Sequence, residues 1–66
     1  MLASEEWAKQ NGRQPLATIV THAQVADDFP YLARTPANAT KAALEKAGLT
    51  IDDIDLFEIN EAFASV

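Results

Sequence analysis

The chain has 66 residues, ten of them acidic and five basic, which gives a formal net charge of −5. Such a length allows at most one small domain, and a domain of about 60 residues buries only about 60% of its unfolded surface. The few scattered basic residues argue against nucleic-acid binding, which needs a basic stripe. The apolar runs are too short to span a membrane, and the first residues lack the pattern of a signal peptide. We therefore expect a cytoplasmic protein without nucleic-acid or membrane partners.

A short helix is predicted near the amino terminus, from residue 4 to residue 10. Ser4 is a suitable N-cap, and Glu5 and Glu6 follow it in the first turn, where the helix dipole favours negative charge. Asn11 and Gly12 tolerate a left-handed backbone and end the helix. Because two turns are marginal in isolation, this helix needs a partner surface.

The next stretch, Pro15 to Val25, is rich in β-branched and apolar residues. An apolar run of this kind predicts a long central strand covered on both faces. His22 lies on this strand or just beyond it. A lone histidine among apolar neighbours is more often structural than catalytic, although its titration range would permit proton transfer.

Residues 26 to 34 are predicted to form a connecting loop. Asp27, Asp28 and Pro30 interrupt any regular periodicity. Phe29 and Tyr31 are interpreted as loop anchors packed on the surface, in preference to residues that contact a substrate.

A second helix is predicted from Thr35, as N-cap, to Ala47. Pro36 suits the first helical position, and Gly48 suits a left-handed C-cap with Leu49 folded back onto the last turn. One face carries a stripe of small side chains that permits close packing, formed by Ala39, Ala42, Ala43 and Ala47. The charged residues are interpreted as a solvated face, comprising Arg34, Lys41, Glu45 and Lys46.

Thr50 to Ile54 is predicted to be a capped turn, with one turn of helix as a variant. The acidic run Asp52-Asp53-Ile54-Asp55 contains calcium-type ligands, but it lacks the alternating carboxylates, central glycine and terminal glutamate of an EF-hand loop. A solvated turn is therefore favoured over a metal site, and no metal is expected.

The last dozen residues change from a strand pattern to a helix pattern. Asp55 to Ile59 alternates polar with apolar residues, and Asn60 to Ala64 is helix-compatible. The order helix, strand, helix, strand, helix predicts an α/β fold with parallel strands joined by a right-handed crossover. Asn60 would then lie at the carboxyl edge of the sheet, where its side chain could cap the helix or face a ligand.

The residues Asn60-Glu61-Ala62-Phe63-Ala64 resemble the NEAFA motif of the thiolases, which are acyl-CoA acyltransferases. The upstream stretches 34–37, 41–49 and 52–58 are also similar to thiolases in order and spacing, so the resemblance covers nearly the whole chain. It implies a partial thiolase-like α/β fold with strands between helices. Residues 1–14 would end the amino-terminal half, and residues 15–66 would begin the carboxy-terminal half.

In this family the asparagine of the motif helps to form an oxyanion hole, so the resemblance implies a catalytic role for Asn60. The neighbouring motif positions lie near the pantetheine arm and the acyl group, which implies that Ala62 and Phe63 bind substrate. Glu61 would orient the loop. From the residues alone, Asn60 as a simple N-cap, Phe63 as core and Ala62 as a helix former remain alternatives.

The resemblance also implies acyl-CoA and coenzyme A as substrates, no permanently bound cofactor, and a parent homodimer or homotetramer. Thiolases use a nucleophilic cysteine and a histidine motif that follows NEAFA. This sequence has no cysteine, and its one histidine, His22, precedes the motif. We therefore expect the isolated 66-residue chain to be inactive. The alternatives are a non-catalytic thiolase-like protein that binds acyl-CoA or lipid, and a self-associating interaction fragment.

Overall fold

The computed structural model describes all 66 residues as two α-helices and two short 3₁₀ helices joined by long irregular segments. Helix α1 spans Glu5–Gln10 and helix α2 spans Thr35–Ala47. The 3₁₀ helices span Phe29–Arg34 and Ile51–Asp53. The molecule is elongated, with extents of 47 × 25 × 20 Å, and only one residue, Ala8, is buried.

The predicted α1 is confirmed, and local hydrogen bonds explain its limits. The side chain of Ser4 accepts a hydrogen bond from the Trp7 amide at 3.0 Å, which is the expected N-cap contact. At the other end, the Asn11 side chain donates to the Trp7 carbonyl at 2.9 Å, and Gly12 follows with a φ of 62°. The chain therefore turns sharply after α1.

The carboxyl end of α2 is also confirmed. Gly48 adopts a φ of 70°, and its amide donates to the Glu45 carbonyl at 3.2 Å. The Leu49 amide donates to the Leu44 carbonyl at 2.9 Å, which completes a Schellman motif. Two carbonyls of the last turn are satisfied in this way.

The start of α2 differs from the prediction that Thr35 is the N-cap. Thr35 is already helical, Arg34 is the N-cap, and no side chain caps the helix. The Thr35 hydroxyl instead donates to the Tyr31 carbonyl at 3.3 Å. The preceding 3₁₀ helix therefore runs directly into α2 and occupies the hydroxyl that would otherwise have capped it.

The predicted turn at Thr50 to Ile54 is confirmed as a 3₁₀ helix with a capping box. The Thr50 amide donates to an Asp53 carboxylate oxygen at 2.8 Å, and the Asp53 amide donates to the Thr50 carbonyl at 3.1 Å. The first bond satisfies the amide of the N-cap residue, and the second is the i→i+3 bond of the 3₁₀ turn itself.

The predicted α/β fold is wrong, because the structure contains no strand. The stretches Pro15–Val25 and Asp55–Ile59 were expected to be strands, but their backbone groups form no ladder. The helix expected from Asn60 is also absent, and residues 62–65 form bends and a turn. An apolar run, or an alternation of polar and apolar residues, indicates which side chains favour burial, whereas a strand also requires a second chain segment to receive its hydrogen bonds.

Candidate functional site

The motif residues lie in an exposed segment at the carboxyl terminus. Asn60 is exposed, and its side-chain amide forms no hydrogen bond within the chain. Its carbonyl accepts from the Ala62 amide at 3.0 Å, and the Phe63 carbonyl accepts from the Val66 amide at 2.9 Å. These two tight turns occupy the positions where the sequence predicted a helix.

An apolar groove lies beside this segment, between α2 and the residues that precede the motif. Its volume is about 770 Å³. The walls combine α2 with residues from both sides of the motif, including Leu44, Phe57, Ile59 and Val66. Such a volume is in the range of small-molecule pockets, about 300–1,000 Å³.

The groove and the motif are adjacent but not the same site. Ile59 and Val66 line the groove, whereas Asn60, Ala62 and Phe63 do not. The two residues predicted to bind substrate therefore lie outside its walls, with Phe63 largely exposed. The structure brings the motif to the groove without turning its side chains into it.

The motif segment also carries a strong local charge. Five acidic residues and no basic residue lie between positions 52 and 61, comprising Asp52, Asp53, Asp55, Glu58 and Glu61. The remaining five acidic residues are balanced by the five basic residues of the chain, so this segment accounts for the whole net charge of −5. An anionic group such as a phosphate would be repelled here. No group of three or more His, Cys, Asp or Glu side chains comes together as a metal site.

A charged cluster that the sequence did not reveal lies at the start of α2. The Arg34 guanidinium donates to Asp27 through Nε at 2.6 Å and through Nη2 at 3.1 Å, and it lies 3.9 Å from the centre of the Tyr31 ring. The hydrogen bonds from Arg34, then the bond from the Asp28 amide, hold the pKa of Asp27 below its ordinary value, although desolvation opposes this. Arg34 thus has specific partners in Asp27 and Tyr31, which the sequence pattern did not indicate.

His22 contributes its backbone to the structure. Its carbonyl accepts a hydrogen bond from the Lys46 ammonium at 3.0 Å, and the residue is exposed. The contact involves the backbone alone, so the structural role predicted for the His22 side chain stays a prediction.

Neither α1 nor α2 has the length and hydropathy that a membrane-spanning helix needs.

The family model described as "Thiolase, C-terminal domain" matches residues 13–66, which include the whole motif. The chain belongs to the thiolase family. This finding confirms the resemblance, and it applies to more than three quarters of the chain.

Individual thiolases are similar over almost the full chain. The acetyl-CoA acetyltransferase of Syntrophomonas wolfei is 48% identical over 98% of this chain and 16% of its own length. The 3-ketoacyl-CoA thiolase of Citrobacter koseri is 48% identical over 98% of the chain and 17% of its own length. A steroid 3-ketoacyl-CoA thiolase of Mycobacterium tuberculosis is 48% identical over 100% of the chain and 16% of its own length. The chain thus spans about a sixth of each of these relatives, and no solved structure matches it.

Proposed function

We propose that this chain is part of an acyl-CoA acyltransferase of the thiolase type, which makes or cleaves a carbon–carbon bond between acyl units through a cysteine acyl-enzyme. The observation that carries this proposal is the family match over residues 13–66, which includes the motif. The printed names of the relatives, acetyl-CoA acetyltransferase and 3-ketoacyl-CoA thiolase, support acyl-CoA and coenzyme A as substrates. Residues 1–14 would end the amino-terminal half of that enzyme, and residues 15–66 would begin the carboxy-terminal half.

Asn60 is proposed as a catalytic residue of the oxyanion hole. Carbanion formation beside a thioester places negative charge on the carbonyl oxygen, and a neutral amide stabilises that charge by donating a hydrogen bond. The Asn60 amide has no partner within the chain, so it is free to hold a water or a substrate oxygen.

Ala62 and Phe63 are proposed to contact the substrate. A small side chain next to an aromatic ring can shape one wall of a narrow apolar tunnel for the pantetheine arm and acyl group. The exposure of Phe63 supports this role, since the ring is not committed to a core within the chain. The phosphates of coenzyme A would then be bound by residues outside the acidic segment 52–61.

The chain alone is proposed to be inactive. It contains no cysteine, and thioester exchange of this type requires a nucleophilic thiolate. The purified 66-residue chain should therefore show no thiolysis of acetoacetyl-CoA above the buffer rate. Turnover by the pure chain would contradict the proposed division of roles.

The decisive experiment is a chimera, in which this chain replaces the matching 65 residues of the S. wolfei acetyl-CoA acetyltransferase. The chimera should catalyse thiolysis if the chain is a working thiolase segment. Asn60→Ala in the chimera should then lower kcat by about 10²–10³, the usual cost of one oxyanion-hole donor. Asn38→Ala, the same substitution on α2, is the matched control and should leave kcat unchanged.

The outcomes separate the catalytic proposal from its alternatives. A folded chimera that binds acetyl-CoA but does not turn it over would favour the non-catalytic acyl-CoA or lipid-binding protein. An active chimera in which Asn60→Ala and Asn38→Ala behave alike would remove the oxyanion role of Asn60. Both results require that the chimera has the oligomeric state of the parent enzyme.

Self-association is a second candidate function, supported by the lack of a core. Large apolar side chains are exposed along the chain, among them Leu16, Val20, Phe29 and Leu56. Burial of apolar surface is the main driving force of association, so a second copy would gain from covering them. Sedimentation equilibrium should show a mass that rises with concentration. A monomer at millimolar concentration would count against this function.

A further inference from the structure

Two cationic side chains fix one irregular segment along α2. Near the carboxyl end of the helix, Lys46 donates from Nζ to the His22 carbonyl at 3.0 Å. Immediately before the helix, Arg34 forms its two bonds with Asp27 at 2.6 and 3.1 Å. Because the earlier residue of the segment meets the later end of the helix, the segment runs antiparallel to α2.

The spacing of the two contacts is consistent with an extended segment lying flat along the helix. From position 34 to position 46, a helix rises about 18 Å at about 1.5 Å per residue. From position 22 to position 27, an extended chain covers about 17 Å at about 3.3 Å per residue. The two lengths agree, so an extended segment can reach from the contact with Lys46 to the contact with Arg34.

Side-chain exposure along this segment alternates. Thr21, Ala23, Val25 and Asp27 are partly buried, whereas the residues between them are exposed. A period of two is the pattern of an extended chain with one covered side. Within α2, the small residues are also partly buried, comprising Ala39, Ala42, Ala43 and Ala47.

No backbone hydrogen bond supports this arrangement. None of the backbone groups of residues 14–27 is bonded to another backbone group. The hydrogen bonds that join residues 22–27 to the region of α2 come from the side chains of Arg34 and Lys46. Cationic side chains therefore supply the hydrogen bonds at both ends of the segment.

We propose that residues 21–27 form a strap that is held closed on α2 by Arg34 and Lys46 and that opens in part when either cation loses its acceptor. The contact of Arg34 is the stronger of the two, because its planar guanidinium group donates to both carboxylate oxygens of Asp27 and is oriented by the Tyr31 ring. Opening releases residues 21–27 from α2 without unwinding the helix. The strap does not depend on the proposed acyltransferase function.

A spin label provides a direct measurement, because the chain has no cysteine of its own. Gln24→Cys introduces one label site at an exposed position within the strap. Paramagnetic relaxation of the α2 amide protons in the 66-residue chain then reports the closed fraction. Strong relaxation along α2 is expected in the otherwise unchanged chain, and its absence while α2 is formed would overturn the proposal.

Replacing one of the two cationic side chains with a neutral one should open the strap in part. Arg34→Gln and Lys46→Gln should each reduce the closed-to-open ratio by about two- to fivefold, as expected for exposed or partly exposed pairs. Arg34→Lys should fall between Arg34→Gln and the unchanged chain, because lysine cannot form the bidentate fork. Lys9→Gln is the matched control, since the Lys9 ammonium pairs with Glu5 on α1, at 3.4 Å.

A change at Arg34 also alters the residue that precedes α2. Two further variants therefore test the contact between Asp27 and Arg34 in other ways. Asp27→Ala removes the acceptor from outside the helix and should open the strap as Arg34→Gln does. Combining Asp27→Arg with Arg34→Asp reverses the pair and should restore relaxation. Equal relaxation in Asp27→Ala and the unchanged chain, or failure of the reversed pair to recover any closure, would show that the ion pair does not hold the strap.

Discussion

Helix α2 and the segment 14–27 have almost the same length but differ in how their backbones are satisfied. The 13 residues of α2 form hydrogen bonds within the helix and end in a Schellman motif. The segment 14–27 contains Ile19, Val20 and Val25, yet its backbone forms no bond with another backbone group. A helix closes its hydrogen bonds within one segment, whereas an extended chain can satisfy them only on another segment or in water.

The strongest test of this difference in backbone hydrogen bonding is to place a proline in each of the two regions. Ala43→Pro removes an amide donor inside α2 and clashes with the preceding turn, which costs about 3 kcal/mol or more. Gln24→Pro removes an amide in the segment that bonds to no backbone acceptor, so it should leave helix content unchanged. Circular dichroism at 222 nm measures both variants.

The opposite result would be informative. Equal loss of helical signal in Ala43→Pro and Gln24→Pro would mean that the segment supports α2 through its backbone. The side-chain contacts from Arg34 and Lys46 would then be secondary.

The elements that could be predicted from sequence are those closed by local contacts. Ser4 caps α1, Gly48 ends α2, and Thr50 with Asp53 forms a capping box, each within a few residues. The incorrect strands and the incorrect helix at Asn60 depend on more than local pattern. A strand needs a partner segment, and a helix of a few residues pays a nucleation cost that no side-chain cap offsets here.

The candidate site divides in the same way. The motif that includes Asn60, Ala62 and Phe63 can be recognised from the sequence because its five residues are contiguous. The contact between Asp27 and Arg34 cannot be predicted from the sequence, because the residues are seven positions apart and Asp27 belongs to an irregular segment. No periodicity rule joins such a pair, and the Lys46–His22 contact spans 24 positions.

A smaller but clear effect is expected at the end of α2. Gly48→Ala places a side chain at a φ of 70°, where the left-handed backbone costs about 1–2 kcal/mol. No heavy atom outside its neighbours lies within 4 Å of the added Cβ, so the effect should come from the backbone alone. Thermal unfolding followed at 222 nm should show the loss, and Gly48→Asn should recover part of it because asparagine tolerates this region.

The N-cap of α1 should have a similar or smaller effect. Ser4→Ala removes the acceptor of the Trp7 amide and should destabilise α1 by about 0.5–1 kcal/mol. Ser4→Asp keeps an acceptor and is the matched control. Amide exchange at Trp7 should accelerate in Ser4→Ala only, and identical exchange in both variants would show that the cap does not stabilise the helix.

The smallest effect is expected from acid, and it tests the strap directly. The pKa of Asp27 is lowered in the folded chain by the hydrogen bonds from Arg34 and from the Asp28 amide. A lowered folded-state pKa means that the ionised form favours the closed strap above the ordinary value of about 3.9, and that this contribution is lost as the pH falls through the lower folded value. Relaxation from a label at position 24 should thus stay constant from pH 7 to about pH 5 and decline only below about pH 4.

Arg34→Gln makes this titration specific, because it removes the main cause of the shift. The carboxyl-carbon titration of Asp27 should move back toward its ordinary range in that variant, while Lys9→Gln should leave it unchanged. A midpoint that is the same with and without Arg34 would mean that the short contact does not persist in solution. In that case the segment 14–27 would be attached to α2 at the Lys46 end alone, and the contrast between the two regions would be greater than the structure shows.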